Sequence, residues 1–155
     1  MILIGVTVGP GARRTTGGAA RRDETGAMAT LADIVFDCAH PASLARFWAA
    51  VLDGYAVAPY DDEELARLHA LGIDDVEDDP SVLVEACAGR PRLWFQRVPE
   101  AKVVKNRVHL DVRAADVGAE VERLLALGAT RVDDAEIGHL VVLRDPEGNE
   151  LCVIG

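Results

Sequence analysis

A histidine lies on the polar face of a predicted strand, in the segment "KNRVHLDV" at residues 105–112. Strand alternation separates the segment into an apolar face with Val108, Leu110 and Val112 and a polar face with Arg107, His109 and Asp111. If a helix covers the apolar face, the polar face is directed either to bulk water or into a cleft. In a cleft, an imidazole is suited to proton transfer, or to holding a metal ion.

The residues before this histidine form a basic cluster in an acidic chain. Lys105, Asn106 and Arg107 stand together, whereas the whole sequence has 16 basic and 26 acidic side chains. Such a cluster can hold a carboxylate through charge-assisted hydrogen bonds. The alternative interpretation is an ordinary solvated loop.

The elements that must position these residues occur twice in the sequence. The segment "DIVFDCAHPASLARFWAAVLDGY" predicts a strand and then a helix with an apolar stripe at Leu44, Phe47, Trp48, Val51 and Leu52. Pro41 and Ser43 suit the start of this helix, and Gly54 suits its end. The segment "RVHLDVRAADVGAEVERLLALGA" repeats the order: Asp37 and Gly54 are 17 residues apart, as are Asp111 and Gly128, at a constant offset of 74. This spacing predicts an internal duplication.

Three strand-like segments follow each predicted helix, so each copy is expected to be strand, helix and three strands. We predict an α+β fold of two tandem βαβββ units, over residues 31–100 and 105–155, that form a cupped mixed sheet with the helices outside. The acidic segment 61–80 interrupts the first copy, and Leu65, Leu68 and Leu71 predict a short amphipathic helix within it. Residues 1–30, rich in Gly, Thr and Ala, predict a flexible tail, and Met28 is an alternative start of translation.

Composition narrows the classes of partner. The formal charge of −10 disfavours binding to the phosphates of nucleic acids, and no apolar run is long enough to predict a membrane span. Cys38, Cys87 and Cys152 are far apart in apolar segments, which predicts buried free thiols in a reducing cytoplasm. No two of them have the short spacing of a zinc-thiolate cluster.

The duplication, the helix "HPASLARFWAAVLDGY" and the ending "LRDPEGNELCVI" together resemble the vicinal oxygen chelate superfamily, in its glyoxalase-like or bleomycin-resistance branch. The resemblance covers residues 31–155. It implies a ligand inside the cup and, in metal-using members, metal ligands from the first and last strands of each unit. On this chain those positions are His109 and Glu150, as ligands of one divalent ion (Zn, Ni, Fe or Mn) or as catalytic acid and base. Their first-unit counterparts are Val35 and either Arg92 or Leu93, and none of these replaces a carboxylate or an imidazole. The resemblance also implies a homodimer.

The expected lining of the cup includes an aromatic wall. In "RLWFQRV", Trp94 and Gln96 share one face, and Leu93 and Phe95 share the face that packs on the helices. We therefore predict that Trp94, Gln96, Asn106, Arg107 and Asp111 contact a small-molecule ligand. For Trp94, a place in the core is the alternative, and for His109, a hydrogen bond to a neighbour such as Glu150.

Three functions are compatible with these residues. The first is a metal-dependent lyase, isomerase or dioxygenase that uses His109 and Glu150. The second is a metal-free small-molecule or drug-binding protein of the resistance type, without catalysis. The third is a regulatory module. The sequence leaves the choice open, because one fold supports many chemistries.

Overall fold

The computed structural model describes residues 29–137 and 140–155, with residues 133–137 described by their backbone alone. Leu31–Gly155 forms one compact unit. The predicted tail lies outside the described residues, apart from its last two positions. None of the helices in the described ranges is long and apolar enough to cross a membrane.

The first half contains β1 (Asp33–Cys38), α1 (Pro41–Val51), β2 (Tyr55–Val57), α2 (Asp62–Ala70), a 3-10 turn (Val76–Asp78), β3 (Ser81–Ala86) and β4 (Arg92–Arg97). The second half contains β5 (Leu110–Arg113), α3 (Val117–Ala126), β6 (Thr130–Ile137), β7 (Leu140–Arg144) and β8 (Glu150–Ile154). The halves have the same topology, because the strand orders are β1-β4-β3-β2 and β5-β8-β7-β6. In each half the first and last strands are parallel and the other pairs are antiparallel. The α+β fold of two βαβββ units is confirmed, with the strands in two separate four-stranded mixed sheets.

The predicted apolar stripe positions α1 on the first sheet. Leu44, Phe47, Trp48 and Val51 are all buried in the core. Pro41 is the first residue of the helix, where its missing N–H costs nothing. The helix ends at Val51, and Gly54 follows with a φ of 76°, a conformation that favours glycine.

Side-chain alternation gives each sheet one covered face and one open face. In β4, Leu93 and Phe95 are buried in the core, which confirms the faces predicted for this strand. The same holds for Leu151 and Val153 in β8. The opposite, open faces are therefore the ones available to a ligand.

The turn between β7 and β8 joins the two halves. Both carboxylate oxygens of Glu147 accept hydrogen bonds, at 2.6 Å each, from the backbone N–H groups of Ala39 and His40, just before α1. Asp145, which is almost fully buried, accepts a hydrogen bond of 3.2 Å from the indole N–H of Trp48. The "DPEGN" turn thus fixes the start of α1 as well as the β7–β8 connection.

Four local predictions need correction. The strand predicted at 105–112 begins only at Leu110, and Val108 is 75% exposed, because the chain before β5 crosses the open face of the second sheet. Cys87 is exposed, whereas Cys38 and Cys152 are buried; all three are free thiols as predicted. Leu71 follows the end of α2 and is 58% exposed, so of the predicted stripe only Leu68 is fully buried.

The fourth correction concerns the first-half counterpart of Glu150. Leu110 pairs with Leu151 and Phe36 pairs with Phe95, so the equivalent position is Trp94 rather than Arg92 or Leu93. The sequence comparison missed this register because the hairpin is longer in the first half: the paired residues Leu83 and Trp94 are 11 positions apart, whereas Arg144 and Glu150 are 6 apart.

Candidate functional site

A cavity of about 750 Å³ lies on the open face of the second sheet. Its apolar walls come from the sheet and from the segment that precedes β5, and they consist of Val103, Val104, Val132, Leu140 and Val142. Its polar lining consists of Lys102, Lys105, His109, Arg144, Glu147 and Glu150, with Gly148 and Cys152 completing it. Although charged residues are numerous, most of the surface exposed in the cavity is apolar, as is usual for a small-molecule site.

Glu150 holds the crossing segment over the sheet. Its Oε2 accepts a hydrogen bond of 3.0 Å from the backbone N–H of Asn106, and Lys102 Nζ donates to the same oxygen over 3.3 Å. Lys102 Nζ also donates to the carbonyl of Val104, at 2.8 Å. Burial alone would raise the pKa of Glu150, but the hydrogen bonds from Asn106, from its own backbone and from Lys102 outweigh it and lower the pKa. Glu150 is therefore an ionised carboxylate at neutral pH, which suits anchoring better than proton donation.

His109 lies at the edge of the cavity and contacts Asp111. Its Nε2 is 3.2 Å from Asp111 Oδ1, so its partner is this aspartate rather than Glu150, the neighbour suggested by the sequence. Both side chains are about half exposed, at 44% and 48%. An imidazole supported by a carboxylate is the arrangement that a general base requires.

Cys152 completes a compact group with these two residues. Asp111 pairs with Cys152 in the parallel β5–β8 ladder, which places both side chains on the open face. One ligating atom from each of His109, Asp111 and Cys152 lies within 4.8 Å of the other two. Burial raises the pKa of the Cys152 thiol, and the Asp111 carboxylate raises it further, so the thiol is protonated at neutral pH.

The predicted site residues fall into two places. His109 and Glu150 both line the cavity, and Asn106 contacts it indirectly, through the hydrogen bond from its backbone to Glu150. Asp111 lies next to His109 at the edge. Three of the predicted residues are not among the described residues that line the cavity. Arg107 is exposed, and Trp94 and Gln96 lie in the other sheet. The ligand contacts predicted for these three residues stay predictions.

Sequence reasoning missed several residues of the cavity. Val103 and Val104 are exposed apolar residues in a connection between the halves, and Lys102 precedes them. The segment "AKVVK" could have indicated these residues, because local structure does not explain two adjacent apolar side chains in a solvated linker. Arg144 and Glu147 adjoin the tight turn, where a structural role accounts for them equally well.

The residues at the family positions do not by themselves fit a metal centre. His109 and Glu150 offer two ligands, whereas Val35 and Trp94, at the equivalent places in the first half, have no atom that binds a divalent ion. A catalytic site needs about three protein ligands and an open position. The Glu150 carboxylate is, in addition, already engaged by Lys102 and Asn106. A metal on His109 and Glu150 therefore requires at least one further donor.

Two βαβββ units of the same topology, each with one open sheet face, define the fold of this protein. The family model described as a glyoxalase-like domain matches residues 33–154, and the chain belongs to this family. The resemblance of the sequence to glyoxalase-like proteins is thus confirmed.

Solved structures support the same fold. A glyoxalase/bleomycin resistance/dioxygenase family enzyme from Burkholderia phytofirmans is 16% identical with a TM-score of 0.55, and the match covers 81% of this chain and 97% of that one. The fosfomycin resistance protein FosX from Mesorhizobium loti is 14% identical with a TM-score of 0.58, over 83% and 92% of the two chains. The trypanothione-dependent glyoxalase I from Leishmania major is 15% identical with a TM-score of 0.52, over 83% and 87%. At these identities the likeness shows the fold alone. Among curated proteins, none has a sequence that matches this chain.

Proposed function

We propose that this protein binds a small molecule in the cavity of its second half. The observation that carries the proposal is the cavity itself, whose volume of about 750 Å³ is in the range of ligand pockets. The connecting segment forms one wall of this half-open cavity, and the hydrogen bonds to Glu150 hold that segment in place without a ligand. A site formed in advance loses little free energy on binding, because few groups remain to be ordered.

The lining favours a ligand with an apolar body and one anionic group. The valines and Leu140 supply the apolar contacts. Lys102 is paired with Glu150, whereas Lys105 and Arg144 have no ion-pair partner among the described side chains. These two cations are suited to a carboxylate or a sulfonate. The cluster predicted from the sequence thus contributes Lys105 to the proposed anion site.

A fluorescent anion with an aromatic body, 1-anilinonaphthalene-8-sulfonate, tests this proposal. We expect saturable binding to the full chain with a fluorescence increase, and a loss of affinity of about tenfold or more in Val142→Trp, which fills the cavity. Leu83→Trp introduces the same side chain on the open face of the first sheet and serves as the matched control. Equal affinity of both variants would place the ligand elsewhere and overturn the proposal.

A second candidate function is catalysis of proton transfer, favoured by the contact between His109 and Asp111 at the cavity edge. His109 would remove a proton from carbon next to a carbonyl, and Asp111 would orient the imidazole and stabilise its charged form. Such a step belongs to isomerases and lyases, while a dioxygenase would need the divalent metal that His109 and Glu150 are predicted to hold.

Deuterium exchange separates this enzyme from a binder. With 2-hydroxyacetophenone in D₂O, an enzyme would exchange the hydrogens next to the carbonyl, as measured by proton NMR. We expect His109→Gln to abolish that exchange and to retain binding of the fluorescent anion. If the wild-type protein gives only the uncatalysed rate of exchange, the proposal of catalysis is wrong for carbonyl compounds of this type, and the proposal of binding is unaffected.

Two further proposals concern the setting of the protein. We place it in the cytoplasm because its three cysteines are free thiols, and we propose a homodimer, as the resemblance to its family implies. The formal charge of −10 supports a small-molecule partner over nucleic acid. Light scattering of the purified chain gives the oligomeric state directly.

A further inference from the structure

We propose that His109, Asp111 and Cys152 form a binding site for a divalent ion of the zinc type at the edge of the cavity. The predicted pair was His109 and Glu150. The new site keeps His109 and replaces Glu150 by Asp111 and Cys152, which follow His109 and Glu150, respectively, by two positions along the open face. It stands apart from the proposed binding of a small molecule, because it needs only these three side chains.

The backbone brings the three ligands together. Parallel pairing of β5 with β8 fixes Asp111 beside Cys152, and the residue before β5 places the imidazole 3.2 Å from the Asp111 carboxylate. All three ligating atoms lie within 4.8 Å of one another. Ligands of a zinc ion at about 2.0–2.3 Å are separated from each other by less than this, so small side-chain rotations are sufficient.

The donor atoms are one sulfur, one nitrogen and one oxygen. Thiolate and imidazole together suit zinc or cobalt and disfavour magnesium and calcium, which prefer oxygen. Three protein ligands leave one position open in a tetrahedral site. His109 and Cys152 also line the cavity, so the open position is accessible to a molecule bound there.

Binding exchanges a proton for the metal. The Cys152 thiol releases its proton to water, the sulfur forms a bond to the divalent ion, and one hydrated ion gives one bound ion plus one proton in solution. The carboxylate of Asp111 supplies a negative charge for the cation. Glu150 is not required, because its carboxylate stays with Lys102 and Asn106.

Cobalt(II) is the probe for this site, because its bond to a thiolate gives a charge-transfer band in the near ultraviolet. We expect the chelator-treated full chain to bind one cobalt ion per chain with this band, and zinc to displace it. Cys152→Ser should abolish the band, whereas Cys87→Ser, which removes the exposed thiol, should retain it.

Two further variants keep the test decisive if Cys152→Ser does not fold. Asp111→Asn changes an exposed side chain and should weaken cobalt binding by about tenfold or more, because even an outer-shell partner of a ligand contributes that much. Glu150→Gln should leave cobalt affinity unchanged, whereas a metal at the family positions would lose it. The proposal is overturned if cobalt gives no thiolate band, if the band disappears with Cys87, or if Glu150→Gln removes it. Binding of the fluorescent anion by the wild-type protein, measured without added metal, tests the small-molecule site separately.

Discussion

Replacing Glu147 tests how the second half supports α1. This helix has no side-chain cap at its start and no acidic residue in its first turn. Glu147 supplies both functions from the other half, through hydrogen bonds of 2.6 Å to the N–H groups of Ala39 and His40. A carboxylate at this end of a helix also interacts favourably with the helix dipole. We therefore expect Glu147→Ala to destabilise the fold.

The size of the effect follows from the number of bonds and their exposure. A hydrogen bond to a charged group contributes about 1.5–3 kcal/mol when it is shielded from solvent. Ala39 and His40 are exposed, so water replaces part of each lost bond, and we expect a loss of about 2 kcal/mol in the free energy of unfolding for the pair. For a chain of this size that loss lowers Tm by about 6 °C. The His40 imidazole, 3.5 Å from Glu147 and 78% exposed, adds little.

Urea denaturation followed by circular dichroism measures this loss, and Glu122→Ala is the control. Glu122 is 74% exposed and has Arg131 at 3.5 Å, so its removal should change the free energy of unfolding by less than about 0.5 kcal/mol. Glu147→Gln keeps one acceptor oxygen and should fall between the two. Equal stability of Glu147→Ala and Glu122→Ala would refute the reasoning that the turn caps the helix.

Two other predictions concern stability. Leu143→Ala in the fully buried part of β7 should lower the free energy of unfolding by about 2–5 kcal/mol in urea titrations, and Leu127→Ala, at a 40% exposed position, by much less; similar losses would contradict the packing described. Because the pKa of Glu150 is lowered by folding, its contribution to stability is present above the pKa of the unfolded chain and is lost as the pH falls through the folded value. The advantage of the wild type over Glu150→Gln should therefore be largest near pH 7 and shrink as the pH falls to and below the ordinary pKa of a glutamate, about 4.3, and a gap that is constant with pH would argue against the hydrogen-bonded carboxylate.

The repeat and the open faces were predictable because they depend on short-range patterns. The offset of 74 between Asp37 and Asp111 identified both strand-helix pairs without any knowledge of their packing. Alternation was enough to assign Leu93 and Phe95 to the core. The alternation and the helical stripe each extend over a few residues, so they depend little on tertiary contacts.

The site was less predictable, because its arrangement depends on contacts between residues that are distant in sequence. Val108 alternates as a strand residue does, yet the segment before Leu110 is held over the open face of the sheet by Glu150, 44 residues after Asn106, and does not continue β5. The pairing of Asp111 with Cys152 likewise follows from the strand register, which alternation does not specify. The sequence singled out His109 as a polar residue on a strand-like face, but it did not identify Asp111 as the partner of His109.

The most direct test of the central claim is an NMR titration of methyl-labelled protein with 1-anilinonaphthalene-8-sulfonate. The account predicts that the methyl signals of Val103, Val142 and Leu140 shift together and give one dissociation constant, while Leu83 on the first sheet does not respond. Saturable shifts confined to the first sheet would contradict it.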